Sequence, residues 1–138
     1  MKELPENIVL IDKPKGFTSF DVIRVLRKKL GIRKMGHGGT LDPLATGLMI
    51  IGINNGTKKL NSLLKLPKKY EAEILFGIQT DTGDITGKTI VEKEVPKFTE
   101  KEIQDVLKNM IGDIELSVPI YSAIKKQGKP LYEYARKG

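Results

Sequence analysis

The sequence predicts an α+β fold. Three observations carry that reading: an unbroken apolar run of strand length at 48–53, a period-two alternation over 68–78, and apolar residues at helical spacing in two places, Val22 to Leu30 and Ile103 to Met110. In chain order, 8–12 is a short apolar run that stops at the turn-forming Lys13-Pro14-Lys15-Gly16, which predicts a buried strand leading into a loop. Thr18 or Ser19 can cap the next segment, with Asp21 in its first turn, an apolar stripe of Val22, Ile23, Leu26 and Leu30, and Gly31 placed to end it. The run at 48–53 has the continuous apolarity of an interior strand, and a short helix is expected over 57–65. Over 68–78, Tyr70, Ala72, Ile74, Phe76 and Ile78 alternate with Glu71, Glu73, Leu75 and Gly77, which predicts a half-buried strand.

Residues 80–87 are turn-forming. Asp81-Thr82-Gly83 copies the tripeptide of aspartic proteases, and Asp81 with Asp84 suggests a cation loop. The apolar strand context of the first and the distal Glu of the second are both missing, so a turn is the better reading. Thr99 and Glu102 form a capping box, with Phe98 and Ile103 as a hydrophobic staple. Ile103, Val106, Leu107 and Met110 make an inward stripe that Gly112 ends, and 114–118 reads as a last strand before Pro119. Tyr121, Tyr132 and Tyr134 then lie among Lys125, Lys126, Lys129, Arg136 and Lys137, a mixture suited to stacking and phosphate contact. There is no internal repeat or domain-scale linker, and 138 residues suffice for one modest domain with its own core.

The net charge of +7 is unevenly placed. Residues 13–69 carry 13 Lys/Arg against Asp21 and Asp42, a local +11, whereas residues 70–115 carry 5 against 11 acids, a local −6. Such a surplus attracts a polyanion and makes its binding salt-dependent, although a charge run is also what any solvated face carries. Arg24, Arg27, Lys28, Lys29, Arg33 and Lys34 stand immediately before the most distinctive segment, which favours an RNA contact. The absence of cysteine excludes a disulfide framework, a thiolate metal site and a thiol nucleophile. No run approaches the roughly 18 apolar residues of a membrane span, and the N-terminus lacks a signal pattern, so the expected compartment is the cytoplasm.

That distinctive segment is GHGGTLDPLATG, from Gly36 to Gly47. It puts Asp42 and the single histidine, His37, in a Gly/Pro-rich turn where backbone can come close to a ligand. Taken alone, Asp42 before Pro43 is a turn residue. His37 suits stacking on a base or a hydrogen bond to a phosphate, and Tyr70 suits stacking, proton transfer or a place in the core. Of the other acids up to Tyr70, Asp21 belongs to a helix start, and Glu3, Glu6 and Asp12 lie outside any Gly-rich loop.

LIDKPKGFTSFDVIRVLRK, KMGHGGTLDPLATGLMIIGINNGTKKL, KKYEAEILFGIQTDTGDITG and VPIYSAIKKQGKPLYEYARKG follow one another in an order and spacing that resembles the TruB family of pseudouridine synthases over essentially the whole chain. The resemblance implies isomerisation of uridine 55 in the T-loop of transfer RNA to pseudouridine. It also implies a mixed, largely antiparallel sheet with flanking helices and a central cleft, the pseudouridine synthase fold in incomplete form. Carried over by position, Asp42 matches the nucleophile and His37 and Tyr70 match uridine-binding residues. The loop at 13–16 and the stretch 121–138 match segments near the RNA, which, together with the basic run that precedes the motif, makes Lys13, Lys15, Arg33, Lys34, Lys125 and Lys126 the expected contacts. The chemistry needs a carboxylate that attacks the nucleoside and a group to take the proton leaving the ring carbon. Because the bond moves within one ring, no energy carrier is consumed, and no cofactor or metal is expected. The expected partner is the T-arm stem-loop of tRNA, with no membrane. Family members continue into a GTYIR-like segment and often a small C-terminal RNA-binding domain. This chain carries neither, so 1–138 is expected to be the N-terminal part of the catalytic domain, with association through an exposed sheet edge. The alternative is a non-catalytic tRNA-binding module or RNA chaperone that keeps the basic surface without the downstream Tyr/Arg segment.

Overall fold

A computed structural model of the chain describes residues 6–116, 118, 122 and 124–135. The chain divides into two compact units, Met1–Glu71 and Ala72–Gly138. The physical basis is the distribution of burial. Every fully buried apolar side chain among the described residues belongs to the first unit.

In the first unit, β1 (Ile8–Lys13), α1 (Ser19–Leu30), β2 (Met35–His37) and β3 (Gly47–Ile53) are followed by a 3-10 turn (Asn54–Lys59) and α2 (Leu60–Leu64). The sheet order is β1-β3-β2, and β3 is antiparallel to both neighbours, with Lys13 opposite Gly47, Ile8 opposite Gly52 and Met35 opposite Ile53. β1 and β2 are therefore parallel to each other, and α1 crosses from one to the other past the central strand, a split β-α-β unit. α1 starts where a residue can satisfy its free amides. Thr18 accepts from the Asp21 N–H, Asp21 answers at the Thr18 N–H, and Gly31 closes the helix in the left-handed conformation. The capping contact with the Thr18 hydroxyl, above all, holds the Asp21 carboxyl below its ordinary range. Val22 and Ile23 bury against Met35, Met49 and Ile51, with Leu26, Val9, Ile11 and Leu41 packed around them.

β3 is the central strand, as its apolarity predicts, but its large side chains are not all buried. Met49 and Ile51 face the α1 core, whereas Leu48 on the other face is exposed. The strand predicted over 68–78 is corrected by the structure. Residues 67–75 join no ladder and only Ile78–Thr80 is extended. Tyr70, Ile74, Leu75 and Phe76 are exposed. Alternation makes a segment fit to be a strand, but a strand also needs a hydrogen-bonded neighbour, and none lies beside it among the described residues.

In the second unit, β4 (Ile78–Thr80) and β5 (Thr89–Glu92) pair antiparallel, α3 is Glu100–Lys108, and β6 (Lys125–Lys126) and β7 (Lys129–Pro130) precede α4 (Leu131–Ala135). The connection between β4 and β5 is the expected turn. Asp81 Oδ1 accepts from the Lys88 N–H, and Asp84 Oδ1 accepts from the Thr86 N–H and hydroxyl, so both carboxylates are used locally. The Thr86 hydroxyl is the main reason the Asp84 carboxyl lies below its ordinary range. Thr99 and Glu102 form the expected capping box, and Phe98 stacks edge-on against Phe76 with ring centroids 5.0 Å apart.

Two expectations for α3 are corrected. The helix ends at Lys108, before Gly112, because the amides of Asn109, Met110 and Ile111 turn back in three-residue steps to Val106, Leu107 and Lys108. Its stripe of Ile103, Val106, Leu107 and Met110 is exposed, since no described element covers it. Ile114 to Leu116 form no strand, and Ser117 lies outside the described residues. Gln127 and Gly128, both at positive φ, turn β6 into β7 as a two-residue hairpin that the sequence pattern did not announce. No helix among the described residues is long and apolar enough to cross a membrane.

Candidate active site

Because Lys13 ends β1 opposite Gly47 at the start of β3, the loop after β1 and the loop before β3 leave the sheet at the same end. They are joined there by backbone. The Gly16 N–H donates to the Pro43 carbonyl at 2.7 Å. Ser19 is buried at the start of α1, where its Oγ accepts from the Leu41 N–H at 2.9 Å and donates to the Leu41 carbonyl at 3.2 Å. Lys13 is 0% exposed, and its Nζ lies 2.7 Å from the Phe17 carbonyl, 3.1 Å from that of Pro14 and 3.4 Å from that of Pro43. Three carbonyls thus meet the three donors of one ammonium, which is what a buried lysine requires.

Asp42 sits between these anchors. Leu41 on one side is held by Ser19, and Pro43 on the other by Gly16 and Lys13. The Ala45 N–H donates to the Asp42 carbonyl at 3.0 Å, closing a turn with Pro43 at its second position, where a fixed φ fits best. The backbone is pinned while the side chain is exposed, and among the described residues the Asp42 carboxylate accepts no hydrogen bond. Such an arrangement presents a carboxylate to a ligand and spends none of its lone pairs inside the protein.

His37 ends β2 opposite Ile51, half-buried, with its Nδ1 2.6 Å from the Gly39 carbonyl. The Gly38 N–H continues the ladder to the Ile50 carbonyl at 2.7 Å, so the motif departs from the sheet beside the strand that Asp42 leads into. Tyr70 is 70% exposed at the edge of the first unit.

The basic residues separate into three groups. Lys15 is exposed in the loop facing Pro43. Lys13 is corrected, since a buried ammonium engaged by carbonyls is not at the surface to meet a phosphate. Arg33 and Lys34 are exposed but lie just before Met35, opposite Ile53, at the far end of β3 from Gly47. Six residues of strand rise put the two ends roughly 20 Å apart. Lys125 and Lys126 are exposed on β6 of the second unit, where the Tyr134 hydroxyl donates to the Lys126 carbonyl at 3.0 Å. Tyr121, Arg136 and Lys137 lie outside the described residues. On α1, Arg27 is drawn inward. Its Nη2 donates to the Met35 carbonyl at 3.1 Å and its guanidinium lies 5.8 Å from the Phe20 ring centroid. Sequence reasoning missed Ser19 as an anchor. Its partner, Leu41, is 22 positions away, and a serine at a helix start gives the same local signal whether it caps the helix or reaches another loop.

Solved structures of similar fold include a Cbf5-Nop10-Gar1 complex, 26% identical with a TM-score of 0.56 over 87% of this chain and 31% of that one. An H/ACA RNP bound to a substrate RNA containing 2'-deoxyuridine is similar in fold at a TM-score of 0.52 and 24% identity. Helices packed with antiparallel strands are therefore shared with RNP proteins of that class. Residues 27–138 match the family described as TruB family pseudouridylate synthase (N terminal domain), and the chain belongs to that family. It is 52% identical over 132 residues to tRNA pseudouridine synthase B of Lactobacillus acidophilus, covering 95% of this chain and 44% of that protein. Over 137 residues it is 47% identical to tRNA pseudouridine synthase B of Opitutus terrae, covering 99% of this chain and 56% of that protein. The chain spans about half the length of the curated relatives it matches.

Proposed function

We propose that this chain carries the isomerisation of a uridine in transfer RNA to pseudouridine, at position 55 of the T-loop, with Asp42 as the nucleophile. The observation that supports this best is the pinned backbone and free carboxylate of Asp42. Leu41 is held by a buried serine, Pro43 by a buried lysine and a backbone amide, and the side chain between them is open. A nucleophile must meet its target within a few tenths of an ångström, and anchoring on both sides is how a loop meets that demand. Family membership and relatives named tRNA pseudouridine synthase B support the substrate class.

In this reading the target uridine leaves its stack, a step that rigid aromatic and imidazole surfaces assist by contacting the freed base. His37 and Tyr70 are the groups we assign to that contact. Asp42 attacks the nucleoside and the glycosidic bond to nitrogen breaks; the ring re-bonds through carbon, the bond to Asp42 breaks to restore the free carboxylate, and the hydrogen on that carbon leaves as a proton. Lys15, Lys125 and Lys126, with Arg33 and Lys34 farther along the sheet, supply the phosphate contacts. The cytoplasm is the compartment that fits a tRNA substrate.

The test is tritium release from a T-arm stem-loop labelled at uridine C5, because forming the new bond expels that hydrogen. The parent chain should release tritium, and Asp42→Asn should lose release by at least about a thousandfold while RNA affinity stays within about twofold. No release from either protein, with salt-sensitive binding in both, would assign these residues to RNA binding alone.

A further inference from the structure

We infer that His37 meets the RNA as a hydrogen-bond acceptor, through Nε2, and that Gly39 is the positioning residue that makes it one. The inference rests on the proposed contact between His37 and the substrate, and it names the chemistry of the group recognised. A carbonyl oxygen can only accept, so the 2.6 Å approach of Nδ1 to the Gly39 carbonyl requires the proton of the neutral ring to be on Nδ1. Nε2 is then left with a lone pair, and among the described residues nothing donates to it. An imidazole held this way repels a phosphate oxygen and takes an N–H or O–H. The candidates on an RNA are the imino N–H of an extruded uracil, an exocyclic amine or a 2'-hydroxyl.

The carbonyl is in place because Gly39 adopts φ +144°, a conformation that a residue with a Cβ enters only with strain. Space is not the obstacle. A Cβ on Gly39 would meet only Leu64 Cδ2, at 3.8 Å, an ordinary contact. Gly39→Ala therefore acts on the backbone alone and releases the ring without crowding the site.

His37 is the only histidine of the chain, so its ring nitrogens give one pair of signals in a long-range proton–nitrogen correlation spectrum. At about pH 8, above the range in which imidazoles titrate, the parent should show a protonated Nδ1 and a bare Nε2. Gly39→Ala should bring in the opposite tautomer. A bare Nδ1 in the parent overturns the inference, whether or not the chain binds RNA, which separates its failure from that of the proposed function.

The RNA side is read with T-arm stem-loops that lack one group at a time: N3-methyl on the target uracil, purine or inosine in place of the loop adenines or guanines, deoxy at the loop sugars, or a neutral methylphosphonate in the loop. One of the donor deletions should weaken binding about tenfold in the parent and have no further effect in His37→Phe. If the methylphosphonate alone shows that coupling, His37 is a cationic phosphate contact and the inference fails. It fails equally if no deletion couples to His37.

Discussion

At Ser19 a single hydroxyl satisfies both backbone groups of the residue before Asp42, one by accepting and one by donating. Ser19→Ala leaves both of them without that partner in a half-buried setting, so it should destabilise the first unit by about 1 kcal/mol, measured by urea unfolding. If the anchor also aims Asp42, kcat for tritium release should fall at least tenfold with KM nearly unchanged, and a fall in stability alone would make Ser19 structural. Lys13→Met should not change the salt dependence of RNA binding, because the ammonium it removes is not at the surface. Lys15→Ala should lower the slope of log affinity against log salt by about one. The candidate site was legible at this scale only in part. Asp42 and His37 stood out because glycine and proline mark the turn that holds them. The anchors did not, since burial of Lys13 and Ser19 depends on contacts 30 and 22 residues away, which leave no local pattern.

Elements whose identity depends on near neighbours formed as their sequences predict. The two capping boxes, Thr18 with Asp21 and Thr99 with Glu102, are satisfied within a single turn, and each Thr→Ala change should cost about 1 kcal/mol, measured by thermal unfolding. The turn between β4 and β5 carries a pH signature. The Asp84 carboxyl lies below its ordinary range because Thr86 donates to its ionised form, so the turn's stabilisation is complete above the unfolded value of about 4 and is lost as pH falls through the lowered native value. Amide protection at Thr86, taken relative to the intrinsic exchange rate at each pH, should hold at pH 6 and fall below about pH 4, and Asp84→Asn should abolish that acid step. Elements that depend on distant partners were the ones misread. Residues 67–75 alternate like a strand and α3 has the stripe of a packed helix, yet sequence periodicity records only what a segment could bury and not whether something lies against it.

Across the whole molecule, burial and charge are both lopsided. Among the described residues the buried apolar side chains lie in the first unit, while Ile74, Leu75, Val106, Leu107, Ile111 and Leu116 of the second are exposed. In the three-stranded sheet the outer edges of β1 and β2 have no hydrogen-bonded partner among the described residues. The 138-residue chain should therefore associate with itself at micromolar concentration, seen as a concentration-dependent rise in sedimentation coefficient. A single monomeric species with one cooperative unfolding transition would refute that expectation. The basic surplus of residues 13–69 belongs to the same compact unit as Asp42. The lysine sealed beneath that unit's loops has one more consequence. An amine-reactive reagent should modify the surface lysines at once and reach Lys13 only when the two loops separate, so the rate of acylation at that one position times the opening of the site, with no probe added to the protein.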